Sequence, residues 1–295
     1  MNFNTKQTKA LVITGQMRLE ENQTSLEKIK YHIDYFKPDY TYLFLWDYEY
    51  ELYGKEIEQI PNTEIVIGDS NAHQISDFEM QHLILQLRKY LLPSCKRRKE
   101  YYEIPATTKA LNAYMKNPSI KQQIFSQINL KHSTYIISRY DIVYMEKIEN
   151  LQIDEIFQFL DSDKKTIATP LGGDAEGIGL GDLVIFANKS AAEIFKTYYD
   201  EIVKDCIKQI APSFPEGFLR YMFVNKNNCD VFRFNFPSTT KSCLERDGYL
   251  IHANLPQYNI FKNNIPIPIA KYPKLETKEW NNPAFDLPLI TNPIM

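Results

Sequence analysis

The sequence predicts an α/β fold, a single mostly parallel sheet with helices on both faces. Short apolar runs alternate along the chain with longer segments whose apolar residues recur at helical spacing. Strands that alternate with helices need crossover connections, and the handedness of those crossovers puts helices on both sides of the sheet. KALVITG (9–15) is an apolar run closed by glycine, the first strand. Residues 21–37 follow with helical spacing, and Thr24 or Ser25 can cap them. TYLFLWD (41–47) and TEIVIGD (63–69) read as buried strands, and 73–92 as an amphipathic helix ended by Pro93. Residues 106–129 read as further helix, interrupted near Asn117 and Pro118. STYIISRYDIVY (133–144) is the next strand, then a short helix at 153–161, a strand at 165–170 and another at 182–188. Helices at 189–210 and 214–227 precede a late strand at 229–236.

The body is expected to span 1–262. Residues 263–295 are punctuated by Pro266, Pro268, Pro273, Pro283, Pro288 and Pro293, which predicts an extended Pro-rich tail. A chain of 295 residues makes one large or two modest domains with ample core. A net charge of −3 leaves no global field for nucleic acid. The basic run Lys96–Arg97–Arg98–Lys99 is either solvated or docks on an anionic membrane surface. The first apolar run is too short for a signal core or a membrane span, and the four cysteines lack CxxC spacing, which predicts a cytoplasmic protein with reduced thiols. The histidines are not spaced as zinc ligands with those cysteines.

Open α/β sheets bind ligands at the carboxyl ends of their strands, so the residues just past each strand matter most. After the first come Thr14, Gly15 and Gln16 in a tight turn, then Arg18. Glycine lets backbone approach a ligand and arginine can fork onto phosphate oxygens; a plain turn with a surface arginine is the alternative. Trp46 ends the second strand, where packing competes with ligand stacking. Arg139 and Asp141 lie on one face if the chain stays extended, as a local ion pair or as a phosphate-binding arginine beside a cation-binding carboxylate. LGGDAEGIGLGD (171–182) holds five glycines with Asp174, Glu176 and Asp182, an acidic wall against which a bulky polar ligand could sit, or a surface loop. Ser213 and Glu216 have capping-box spacing; alternatively Glu216 faces the cleft from a helix start. His252 follows a late apolar run, structural or a ligand.

The order of these pieces, TGQMR (14–18), SRYD (138–141), GD (181–182) and PE (215–216), resembles a group of bacterial sugar transferases of capsule, lipopolysaccharide and other surface-polysaccharide synthesis over roughly residues 8–260. The resemblance implies a GT-A-like nucleotide-diphospho-sugar transferase fold. It implies a glycosyltransferase that moves a sugar from a nucleotide-sugar donor to a hydroxyl of a glycan or lipid-linked glycan acceptor, in the cytoplasm or at the inner face of the membrane. Thr14, Gly15, Gln16, Arg18, Arg139 and Asp174 would then bind the nucleotide sugar. Arg139 and Asp141 stand where many such enzymes carry D-x-D, so either Asp141 holds Mn²⁺ or Mg²⁺ with help from His252, or Arg139 takes the metal's place. Asp182 would orient hydroxyls and Glu216 would serve as the base. A nucleotidyl- or phosphotransferase, or a non-catalytic transferase-like binding subunit, is the alternative.

Overall fold

The computed structural model describes residues 8–17, 19, 23–90, 104–144, 147–148, 153–170, 179–234, 238–240, 249–254, 257–262 and 265–267, with side chains up to residue 234 except at 88, 90 and 104–107. Its centre is a seven-stranded sheet in the order β3-β2-β1-β4-β7-β6-β8. The strands are β1 (Lys9–Thr14), β2 (Tyr40–Trp46), β3 (Thr63–Gly68), β4 (Thr134–Arg139), β6 (Thr166–Pro170), β7 (Ile185–Asn188) and β8 (Asp230–Phe234). All run parallel except β7, which is antiparallel to both β4 and β6.

The five inner strands are largely buried on both faces, and their alternation divides two cores. Ala10, Val12, Tyr42, Phe44, Tyr135 and Ile137 face one layer. Into it pack α3 (Asp77–Tyr90), α4 (Ile104–Gln127), α7 (Tyr198–Ile207) and α8 (Pro215–Leu219). Leu11, Ile13, Leu43, Leu45 and Ile136 face the other, covered by α1 (Ser25–Phe36), α2 (Asp47–Ile57) and α5 (Ile153–Leu160). The short α6 (Lys189–Ala192) is capped by Asn188, whose side chain accepts from Ala191 N. Thr24 caps α1 in a full capping box with Glu27.

Three expectations change. The helix expected to break near Pro118 is one continuous helix, α4. Proline in a helix interior costs about 3 kcal/mol. Leu111, Met115, Ile120, Ile124 and Phe125 are buried on either side of it, each contributing about 2 kcal/mol, and that burial holds the helix through the proline. The strand expected over 133–144 is two: the chain turns at Tyr140 and Asp141, and β5 (Ile142–Tyr144) leaves the main sheet to pair with β9 (Ser238–Thr240). A buried polar net fixes that turn. Tyr144 Oη lies 2.6 Å from His32 Nδ1 and 2.8 Å from Ser138 Oγ, and Tyr140 Oη donates to Phe44 O at 3.1 Å. Finally, 47–57 forms α2, which the tyrosine–glutamate alternation there conceals.

Past β8, β10 (Tyr249–Asn254), β11 (Gln257–Lys262) and β12 (Ile265–Ile267) form an antiparallel sheet. Most of the Pro-rich stretch, like the basic run 96–99, lies outside the described residues. Among the described residues no helix is long and apolar enough to cross a membrane.

Candidate functional site

Strand order reverses between β1 and β4: the chain winds outward through β2 and β3, then returns to the other side of β1. Crevices open at the carboxyl ends of strands where the order reverses in this way. Thr14 and Arg139 are register partners there. Thr14 is buried and its Oγ1 donates to Ser138 O at 3.0 Å, so it supports the strand end. Gly15 has φ 95°, a left-handed conformation that glycine adopts without strain. The loop it starts is tied down by Glu49, which accepts from Met17 N at 2.8 Å and from Trp46 N at 3.1 Å. Burial raises the Glu49 carboxyl above its ordinary value, opposed by those two backbone donors. No motif marked Glu49; its place three residues past the end of β2 is the signal that could have found it.

A cleft of about 1280 Å³ opens over these strand ends. Gln16, Trp46, Tyr48, Ser70, His73, Lys116, Ser119 and Arg139 are among its walls. Trp46 is mostly packed, edge-on against Phe44, so packing is its main task. Tyr48 is the exposed ring of this wall, 43% accessible. The α4 residues on the opposite wall were not anticipated.

Arg139 and Asp141 form the local ion pair. Arg139 Nε donates to Asp141 Oδ1 at 2.9 Å and Nη2 to Oδ2 at 2.5 Å, with side chains 29% and 24% exposed. The arginine lines the cleft as well. Pair and site are therefore compatible, because the carboxylate orients the guanidinium at the strand end.

Behind the cleft lies a chain of groups that the sequence reading missed. Asn117 Nδ2 donates to Asp182 Oδ2 at 2.9 Å, and Lys121 Nζ donates to Asn117 Oδ1. Lys121 is 2% exposed. Burial lowers its ammonium to about 8; the Asp182 charge opposes that shift and the Arg139 charge adds to it. Asp182 thus joins Asn117 and Lys121 from the segment before β7 rather than from its first residue, since β7 begins at Ile185.

Glu216 lies close by. The expected capping box is absent: Phe214 is the N-cap residue without a side-chain bond, and Ser213 Oγ instead donates to Leu83 O at 2.7 Å. Pro215 in the first helical position moves the cap one residue onward. Leu180 N donates to Glu216 O at 3.0 Å, and a Cβ on Gly179 would meet the Glu216 carbonyl carbon at 2.4 Å. Glycine there lets the backbone at 179–180 press against the start of α8. Burial raises Tyr198 well above its ordinary value, with the Asp182 and Glu216 charges adding to the effect, so both carboxylates share its surroundings.

Arg18 and Asp174 lie outside the described residues. His252 sits on β10 opposite Asn259, and its side chain is outside them too. Among the described residues no three His, Cys, Asp or Glu side chains converge as a metal would need. Both Asp141 oxygens are engaged by Arg139. Asp141 is thus held by Arg139, and the side chains of Asp174, Glu176 and His252 lie outside the described residues.

No family model and no curated protein matches the chain. Among solved structures it is similar to 4-diphosphocytidyl-2C-methyl-D-erythritol synthase of Anaerococcus prevotii, at 10% identity over 77% of this chain and 89% of that one, with a TM-score of 0.39. It is also similar to mouse xyloside xylosyltransferase 1, at 11% identity over 77% and 84%, with a TM-score of 0.30.

Proposed function

We propose that the chain is a GT-A-like glycosyltransferase that moves a sugar from a nucleotide-diphospho-sugar to a hydroxyl of a bacterial surface glycan, of the capsule or lipopolysaccharide kind, working in the cytoplasm or at the inner face of the membrane. One observation carries the reading: Arg139 lines the cleft at the strand-order reversal, beside the left-handed Gly15. An arginine there supplies charge-assisted hydrogen bonds to a diphosphate, and a glycine loop admits it close to backbone. The cleft volume suits a ligand of nucleotide-sugar size.

In this reading Gln16 and Tyr48 face the nucleoside, with Arg18 and Asp174 assigned to the same donor. The acceptor oxygen attacks the anomeric carbon, the bond from that carbon to the phosphate oxygen breaks, and its electron pair leaves with the nucleoside diphosphate. Arg139 neutralises the charge that develops there. Glu216 takes the acceptor proton and Asp182 orients sugar hydroxyls. A divalent ion at Asp141, with His252, would require Arg139 to release the carboxylate.

A thermal-shift panel of nucleotide sugars, with and without Mn²⁺, followed by assay of the released product, tests this. The reading expects one donor to raise the melting temperature and to release a nucleoside diphosphate. No shift with any donor would refute it, and release of a sugar 1-phosphate in place of the nucleoside diphosphate would make the chain a nucleotidyltransferase.

A further inference from the structure

Lys121 is 2% exposed, and its ammonium donates to an amide rather than to a carboxylate. Its hydrogen-bond partner is an amide, Asn117 Oδ1, and that amide stands between the ammonium and Asp182. A buried charge compensated only at one remove costs stability. An apolar side chain of similar length would pack the same helix without that cost. Its electrostatic partners are Asp182, from the segment before β7, and Arg139, from β4. Tyr198 on α7 and Glu216 on α8 stand in the surroundings of Asp182. Lys121 is absent from the cleft wall, whereas its neighbours Ser119 and Ile120 and the Arg139 guanidinium are present in it.

We infer that Lys121 is a buried charge that strengthens binding of a phosphate-type dianion at Arg139, and that the bound anion in turn holds the proton on Lys121. The inference rests on the reading of the cleft as a diphosphate site. Electrostatic coupling is strong where water is excluded, so an anion at the guanidinium is felt by an ammonium that it never touches. The coupling is reciprocal: whatever the anion adds to proton affinity at Lys121, the proton adds to anion affinity in the cleft. Without an anion Lys121 titrates at about 8, within the range an enzyme meets, so anion affinity falls as pH rises through that value.

Inorganic sulfate tests this, because its charge is constant between about pH 6.5 and about pH 9.5, the interval over which Lys121 changes state. Sulfate binding would be followed by tryptophan fluorescence in the wild type, in Lys121→Met and in Lys121→Arg. The titration of Lys121 itself would be read by NMR of ¹³C-lysine-labelled wild type. The expected result is an affinity that falls about tenfold from the lower to the higher pH in the wild type. In Lys121→Met it is uniformly weak, and in Lys121→Arg uniformly strong. The NMR midpoint moves upward when sulfate saturates the site. Sulfate binding with an unmoved midpoint, or with the same pH dependence in Lys121→Met, would overturn the inference and leave the anion site standing. No sulfate binding at either pH would overturn both.

Discussion

Lys226 and Lys121 are both influenced by neighbouring carboxylates, and they behave in opposite ways. Lys226, at the end of the helical turn after α8, donates directly to Glu201 and Asp205 of α7, while Tyr221 Oη donates to Asp205 at 3.1 Å. Burial alone would lower Lys226, but the two carboxylates outweigh it and raise it. Lys121 meets only an amide, and burial lowers it to about 8. The first cluster is complete within the fold: its cation has its anions and it pins one helix to another. The second has an amide between its cation and its carboxylate, on a helix that also lines the cleft. A direct ion pair away from the cleft points to structure, and a buried cation held one group away from its carboxylate, beside a cleft, points to function.

Substitutions at these lysines test that contrast. Lys226→Met should cost about 2 kcal/mol in chemical denaturation, because it takes the directly bonded ammonium from the buried Asp205 and leaves it the Tyr221 hydroxyl and the more distant Lys208. A neutral result would remove the structural half of the comparison. Lys121→Met should instead stabilise the fold by about 2 kcal/mol near pH 7: removal of the buried charge is worth about 3, and the orphaned Asn117 carbonyl gives back about 1. That gain belongs to pH below about 8. It fades as pH rises from 8 toward the ordinary lysine value, since the wild-type protein sheds the same charge there. A loss of stability would mean that Lys121 is structural after all.

His32 sharpens the contrast at smaller scale. It is buried without a carboxylate in hydrogen-bond contact, and burial lowers it to about 4. Its folded-state value lies below the unfolded one, so the stability it contributes is full above about 6.5 and is lost as pH falls toward 4. At about pH 5.5 the loss should be roughly 1 kcal/mol, read as a difference in urea midpoint that His32→Gln lacks.

The inner strands of the sheet were legible because each is a compact apolar run, largely buried on both faces. The reversal of β7 was not, because an antiparallel strand in such a sheet carries the same apolar pattern as its parallel neighbours. At the site, TGQ and SRYD announced themselves by a glycine and by charges at strand ends. Asn117 and Lys121 did not. Ser119, Lys121, Gln122 and Gln123 belong to no motif, yet all four are buried, each bonded to a neighbour: Ser119 to His73, Lys121 to Asn117, Gln122 to Asp200 and Gln123 to Asp69. A polar run interleaved with Ile120, Ile124 and Phe125 leaves no clean amphipathic stripe, and that lack was the available signal. Ser213 and Glu216 misled for the converse reason: the spacing fits a capping box, but Pro215 moves the helix start so that Ser213 turns to α3.

The most direct measurement is the dissociation constant of the best donor nucleotide sugar for wild type and for Arg139→Ala, with unfolding followed on the same samples. The account predicts about a hundredfold weaker binding, the loss of charged hydrogen bonds to a diphosphate, with stability changed by no more than about 1 kcal/mol, since the pair it breaks is partly exposed. Unchanged donor affinity together with a large loss of stability would contradict it and would make Arg139 and Asp141 a structural pair alone.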